Sequence, residues 1–284
     1  MSPSCQTSSP KPPSQNMSIR TKCASIGTKW ARIRYKFRKP LAEFLGTAVM
    51  IAFGCGAVAQ VVFSTNNSWF TVSLAWGLGL IAAIYVAGGV SGAHFNPAVT
   101  FALAIFREFP WAEVPIYWAA QLAGAFVGAL IVYIGNISAL QAADRSKTMG
   151  IFFTGLQTTD VSTTDAFIFE IIATALLLII ILATSDKGNN PAGSLQPLII
   201  GLSITLIGTS YGYQTGYALN PARDLGPRFF TALFGWSFDV FSRQNWYFWV
   251  PIVGPFLGAI LGCCIYDFFI HSSERTPQTP ELPS

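Results

Sequence analysis

GAHFNPAVT (92–100) and GYALNPARD (216–224) are near copies of each other, set more than a hundred residues apart in apolar parts of the chain. Each carries Asn-Pro four residues after a glycine. Proline breaks a helix interior but fits the first helical turn, where its missing N–H has no partner anyway, and Asn is a preferred N-cap. Each box therefore predicts a helix start, with Asn96 capping a helix opened by Pro97 and Ala98, and Asn220 capping one opened by Pro221 and Ala222. The segments before them, GAHF (92–95) and GYAL (216–219), must then be non-helical.

The solvent for these boxes is lipid. Of 284 residues, 52% are hydrophobic and 11% charged, whereas a soluble domain carries roughly a quarter charged. A span needs about 20 mainly apolar residues to cross a hydrocarbon core of roughly 30 Å. Six segments qualify: 41–63, 69–88, 113–136, 164–184, 195–213 and 247–270. The pieces 96–107 and 220–231 are too short, since about eleven helical residues cover only roughly 16 Å. The expectation is an all-α membrane protein of six transmembrane helices and two re-entrant half-helices. Irregular backbone at that depth survives only buried in protein or lining a watery cavity, so 92–95 and 216–219 are expected to present carbonyl oxygens to a pore.

Charge sets the orientation. Nine Lys or Arg lie between Lys11 and Lys39 with no acid before Glu43. Such clusters stay cytoplasmic, and KWARIRYKFRK (29–39) also suits anionic headgroups. Six spans return the C-terminus to the same side, leaving Arg145, Lys147 and Arg243 in external loops. The expected organisation is a basic, disordered cytosolic tail over 1–40, a channel domain over 41–270 and a second cytosolic tail over 271–284. The first span, preceded by some 40 residues, reads as an internal signal-anchor. Cys55, Cys263 and Cys264 read as buried thiols in spans and Cys5 and Cys23 as tail residues, with no disulfide framework. Asn66 in NNS (66–68) is a possible glycan acceptor.

The boxes belong to larger repeats. EFLGTA begins at Glu43 and EIIATA at Glu170, 53 residues before Asn96 and 50 before Asn220 respectively. Each half (about 41–136 and 164–270) holds three spans and one half-span; three is odd, so the second half enters the membrane from the opposite side. Such an inverted repeat puts the shared site near the bilayer midplane, between the halves. An acid inside a span marks a functional site by default. The symmetric placement of Glu43 and Glu170 favours a scaffold role instead, each accepting backbone N–H groups from the non-helical segment of its own half. His94 reads as a packing or hydrogen-bonding residue of that loop, with a pH-sensing role as the alternative.

Six spans with two Asn-Pro-Ala boxes resemble the major intrinsic proteins, the aquaporins, over roughly residues 40–270. The resemblance implies a homotetramer with one pore per subunit and, by the family's spacing, a constriction made by Trp76, Gly208, Tyr217 and Arg223. Strict water channels usually carry histidine at the position of Gly208, so glycine is expected to leave room for a larger solute. Trp76 and Tyr217 would offer an apolar wall, and Arg223 fixed donors to hydroxyl oxygens. Asp224 with Arg228 four residues on, and Pro251-Ile252 in the last span, resemble the glycerol-conducting branch. LFGW (233–236) and WVP (249–251) are similar to animal members, which places the expected relatives among animals and the protein in a plasma membrane.

The implied function is a passive channel for glycerol, water and other small uncharged solutes, with urea a further candidate. Strict water conduction is the alternative. Ions and protons would be excluded by the half-helix dipoles and Arg223. No cofactor, metal, nucleic-acid partner or enzymatic activity is expected: the two histidines, His94 and His271, lie far apart, and no Cys/His ligand spacing occurs. A coupled transporter would need carboxylates at the midplane, where only the two scaffold-like glutamates are candidates.

Overall fold

A computed structural model describes residues 19–64 and 68–271. The chain forms α1 (Ile19–Lys36), α2 (Arg38–Phe63), α3 (Trp69–Ser91), α4 (Pro97–Phe106), α5 (Val114–Gly135), short α6 (Ile137–Ala142) and α7 (Arg145–Thr148), then α8 (Thr163–Ser185), α9 (Gln196–Tyr211), α10 (Pro221–Thr231), short α11 (Arg243–Trp246) and α12 (Val250–Phe269). Six of the described helices are long and apolar enough to cross a membrane. The half-helices α4 and α10 are 10 and 11 residues long, close to the lengths read from the sequence.

Two compact units divide at Arg38. The first contains α1, and here the reading of 1–40 as a disordered tail is corrected: residues 19–36 are helical. The Ser/Pro-rich composition belongs to the start of the tail, whereas TKWARIRYK (28–36) contains no glycine or proline and is rich in Lys and Arg, which favour helix. Residues 1–18 and 272–284 of the tails, with Cys5, and Asn66 with its glycan site lie outside the described residues.

The second unit is the helix bundle, and its halves are built alike. Gly124 and Gly128 of α5 face α2, where a Cβ on Gly128 would come within 2.7 Å of the Ala48 carbonyl oxygen. Gly254 and Gly258 of α12 face α8 in the same way, with added Cβ atoms 2.8 Å from Glu170 Cβ and Thr174 Cβ. These small-residue stripes therefore serve contacts within the chain, bringing helices close enough for dense packing. Between the halves α3 crosses α9, with Gly77 against Gly201: a Cβ on Gly201 would sit 2.6 Å from the Gly77 carbonyl oxygen. Cys55 and Cys263 are buried as expected, but Cys264 is exposed, because the next position round α12 turns away from the core.

Gly77→Leu should separate α3 from α9. Overpacking commonly costs about 1–3 kcal/mol, and a Cβ on Gly77 would meet Thr205 Oγ1 and, at 2.5 Å, the Gly201 carbonyl oxygen, a backbone atom that cannot swing aside, so the variant is expected to lose its monodisperse peak in detergent size-exclusion chromatography.

Candidate pore and constriction

The non-helical segments have matched, unusual backbones. Gly92 and Gly216 have φ of 88° and 83°, followed by Ala93 and Tyr217 at 55° and 41°, then Phe95 and Leu219 at 50° and 56°. Non-glycine residues in the left-handed region cost on the order of 1 kcal/mol or more each and persist only where their surroundings impose the conformation.

Two buried glutamates impose it. Glu43 Oε1 accepts from the Ser91 hydroxyl at 2.6 Å and the His94 amide at 3.0 Å. Its Oε2 accepts from the Phe95 amide at 2.7 Å and Gln121 Nε2 at 2.8 Å. In the other half Glu170 Oε1 accepts from the Thr215 hydroxyl at 2.6 Å and the Ala218 amide at 2.9 Å, while Oε2 accepts from the Leu219 amide at 2.9 Å. Ser91 and Thr215 each stand five residues before their Asn. With these N–H groups turned to the carboxylates, the segments give their other side to a cavity of about 500 Å³, lined by Gly92 to Asn96 and by Tyr217 to Asn220.

The caps tie the halves together. Asn96 Oδ1 accepts from the Ala98 amide at 2.9 Å, and Asn220 Oδ1 from those of Ala222 and Arg223 at 2.9 and 3.3 Å. Asn96 Nδ2 donates to the Leu219 carbonyl and Asn220 Nδ2 to the Phe95 carbonyl, both at 2.8 Å. Pro97 and Pro221 open the helices, and Ala98 and Ala222 are fully buried beside them. A primary amide has two N–H donors. One on each Asn is engaged across the interface, leaving the other for an oxygen in the cavity.

Trp76, Tyr217 and Arg223 line the same cavity. The Arg223 guanidinium carbon lies 4.3 Å from the Trp76 ring centroid, and its Nη1 donates to the Phe152 carbonyl at 3.2 Å. Gly208 does not line it. A Cβ there would lie 2.6 Å from Tyr217 Cζ and 2.8 Å from Ser73 Oγ, so the niche read as room for solute holds the Tyr217 ring instead. Trp69 fixes that ring from behind, edge-on at 5.9 Å, while donating to the Gly208 carbonyl at 2.9 Å. Removing the side chain at 208 thus draws the phenol back from the passage. His94 lines the cavity too, its Nδ1 3.1 Å from Thr100 Oγ1 and its ring against Phe109 and Tyr117.

Asp224 and Arg228 lie outside the cavity lining and form a buried ion pair, with Arg228 Nε to Asp224 Oδ1 at 2.7 Å and Nη2 to Oδ2 at 3.0 Å. Asp224 Oδ2 also accepts from the Thr154 amide at 2.8 Å, and Arg228 donates to the carbonyls of Thr154 and Val240. The pair clamps the connection that carries Phe152, and therefore the acceptor that orients Arg223. Pro251 is buried near the start of α12 and Ile252 half-buried; neither lines the cavity.

Two half-helices joined cap to cap, inside six membrane-length helices in an inverted repeat, define a membrane channel fold. The family model described as Major intrinsic protein matches residues 29–266, and the chain belongs to that family. It is 43% identical over 258 residues to Aquaglyceroporin-2 of Rhizophagus irregularis, covering 87% of this chain and 81% of that one. To the aquaglycerol porin AQY3 of Saccharomyces cerevisiae it is 40% identical, over 87% of this chain and 40% of the relative. The X-ray structure of the aquaglyceroporin from Plasmodium falciparum superposes with a TM-score of 0.73 at 38% identity, covering 82% of this chain and 96% of that one. The expectation of animal relatives is corrected by these matches, since the sequence relatives named here are fungal. The motifs that suggested it are packing residues: Trp236 lies edge-on to Tyr133 and Phe152, and Trp249 tilted against Phe167, roles that carry no mark of lineage.

Asp224→Ala leaves Arg228 charged and buried, and breaking such a pair costs about 3–5 kcal/mol; thermal unfolding in detergent should fall accordingly, with Asp224→Asn in between. Gly208→Ala forces the Tyr217 ring toward Trp76. Its expected signature in reconstituted vesicles is a glycerol permeability about tenfold lower, equal to roughly 1.4 kcal/mol on the barrier, with water flux reduced far less.

Proposed function

We propose that this chain is a passive channel conducting glycerol and other small uncharged solutes, urea among them, together with water. The observation that carries the reading is the corner where the aromatic faces of Trp76 and Tyr217 meet the guanidinium of Arg223 above the two Asn amides. Glycerol has a CH side and an OH side. An apolar wall opposite fixed donors and backbone carbonyls accommodates both without leaving a desolvated hydroxyl unpaired. The relatives carrying glycerol in their names support the same solute.

Ion exclusion follows from the electrostatics. Each half-helix N-terminus places roughly half a positive charge at the cap, and Arg223 adds a whole one at the constriction. A cation meets this field while losing its hydration shell; the acid among the lining residues, Asp186, stands with Arg107 and Lys187 and forms no compensating ring. Water accepting from the free N–H of Asn96 and Asn220 is held with its oxygen toward the caps, which interrupts a proton wire. The working unit is a homotetramer with one pore per subunit, seated in a plasma membrane with both termini cytoplasmic.

Purified protein in liposomes gives the test. Scattering after a sucrose shock should report shrinkage much faster than bare lipid, and after a glycerol shock fast reswelling. Rapid water flow with glycerol entering no faster than through bare lipid would instead assign a strict water channel.

A further inference from the structure

The channel reading leaves α1 unused, and α1 carries an exposed stripe with a defined chemistry. Trp30, Ile33 and Phe37 recur at i, i+3 and i+7, the spacing that places residues on one helix face. Phe37 stays in register, because its amide donates to the Ile33 carbonyl at 3.0 Å. The three are 55%, 51% and 47% exposed. Lys29, Arg32 and Lys36 fall on one edge of this stripe and Arg34 and Arg38 on the other, all exposed. No acid occurs anywhere before Glu43, so these cations have no partner of opposite charge within their own unit.

We propose that residues 27–38 form an interfacial helix that lies along the membrane surface and binds negatively charged lipid headgroups. The stripe is too narrow for a spanning segment and suits shallow insertion, with Trp at headgroup level and aliphatic neighbours at the acyl boundary. Lys and Arg on its flanks can lay their stems over that boundary and hold their charges among the headgroups. Continuity with the membrane sets the location: α1 ends at Lys36 and the first membrane-length helix starts at Arg38, so the chain leaves α1 at the bilayer edge. Each basic side chain near an anionic leaflet contributes roughly fivefold in partitioning, and five lie within ten residues. A polar protein groove would leave the indole and phenyl faces unsatisfied, and an apolar one would desolvate the five charges; an anionic membrane surface satisfies both.

The inference rests on α2 being a span but not on what the channel conducts, and its readout is independent of flux. The full-length protein is placed in nanodiscs of neutral phosphatidylcholine, and in discs with about 30% phosphatidylserine, and amide hydrogen exchange is followed over 27–38. Exchange should be about tenfold slower in the anionic discs, and the difference should shrink in about 0.5 M salt, where the screening length falls to a few ångströms. Replacing Lys29, Arg32, Arg34 and Lys36 together with Gln should erase the lipid dependence with water flux unchanged. Trp30→Ser with Ile33→Ser should speed exchange in both discs. Equal exchange in the two lipids, or equal protection in a lipid-free detergent micelle, would overturn the proposal and assign the stripe to a protein surface or a second copy of the chain.

Discussion

Everything that passes through this molecule depends on two carboxylates it never needs to touch. Glu43 and Glu170 hold left-handed backbone at four non-glycine positions, and that backbone sets where the carbonyls and caps lie. A peptide group turned this way cannot share in a helix ladder, and in a membrane no water replaces the lost partner. A carboxyl group buried beside the segment presents two acceptor oxygens and satisfies several N–H groups at once. Hence an acid, in the costliest solvent for one, serves as structural support. Its placement at a small-residue contact, Gly124 beside Phe44 and Gly254 against Glu170, lets each glutamate reach the loop of its own half.

The two halves share that logic and then depart from it where the constriction needs them to differ. Tyr117 and Tyr247, Gln121 and Pro251, Gly124 and Gly254, and Gly128 and Gly258 are each 130 residues apart and occupy matching registers. In the first half Gln121 donates to both Glu43 and Thr100, a neutral seal at the back of the box. In the second half the register of Gln121 is Pro251, which has no side-chain donor, and the register of Thr100 is Asp224. The Asp224–Arg228 pair provides the corresponding seal there and reaches further, to the connection carrying Phe152. Pro251, read from the sequence as a family marker, is thus one side of an exchange of a neutral clamp for an ionic one.

The half-helices, the caps and both glutamates were legible because their signals are local: Asn and Pro at a helix start, and an acid repeated at matched spacing. Ser91 and Thr215 were open to the same comparison, five residues before each Asn, and were overlooked. How Gly208 acts was not legible, because a missing side chain does not say which neighbour fills the gap; the answer, Tyr217, comes from the packing of Trp69 and Ser73. Phe152 left no trace at all, since what it contributes is a backbone carbonyl that any residue could supply. The helix at 19–36 was hidden by averaging composition over a tail whose Pro and Ser lie mostly before it.

The ionic clamp also explains how an aspartate can follow Arg223 directly without quenching it. Were Asp224 free, its carboxylate would compete for the guanidinium and draw it from the cavity. Instead its oxygens are taken by Arg228 and Thr154, and Arg223 donates to a neutral carbonyl and lies over the Trp76 ring. Taken together, Arg223, Asp224 and Arg228 carry one net positive charge, and the geometry assigns that surplus to the side chain lining the passage. The matching position in the first half is Val99, so the cap of that half has no charged neighbour in this register. The inverted repeat therefore supplies two equivalent supports and two equivalent caps, while a single substitution register, secured by one buried ion pair, gives the constriction its fixed cation.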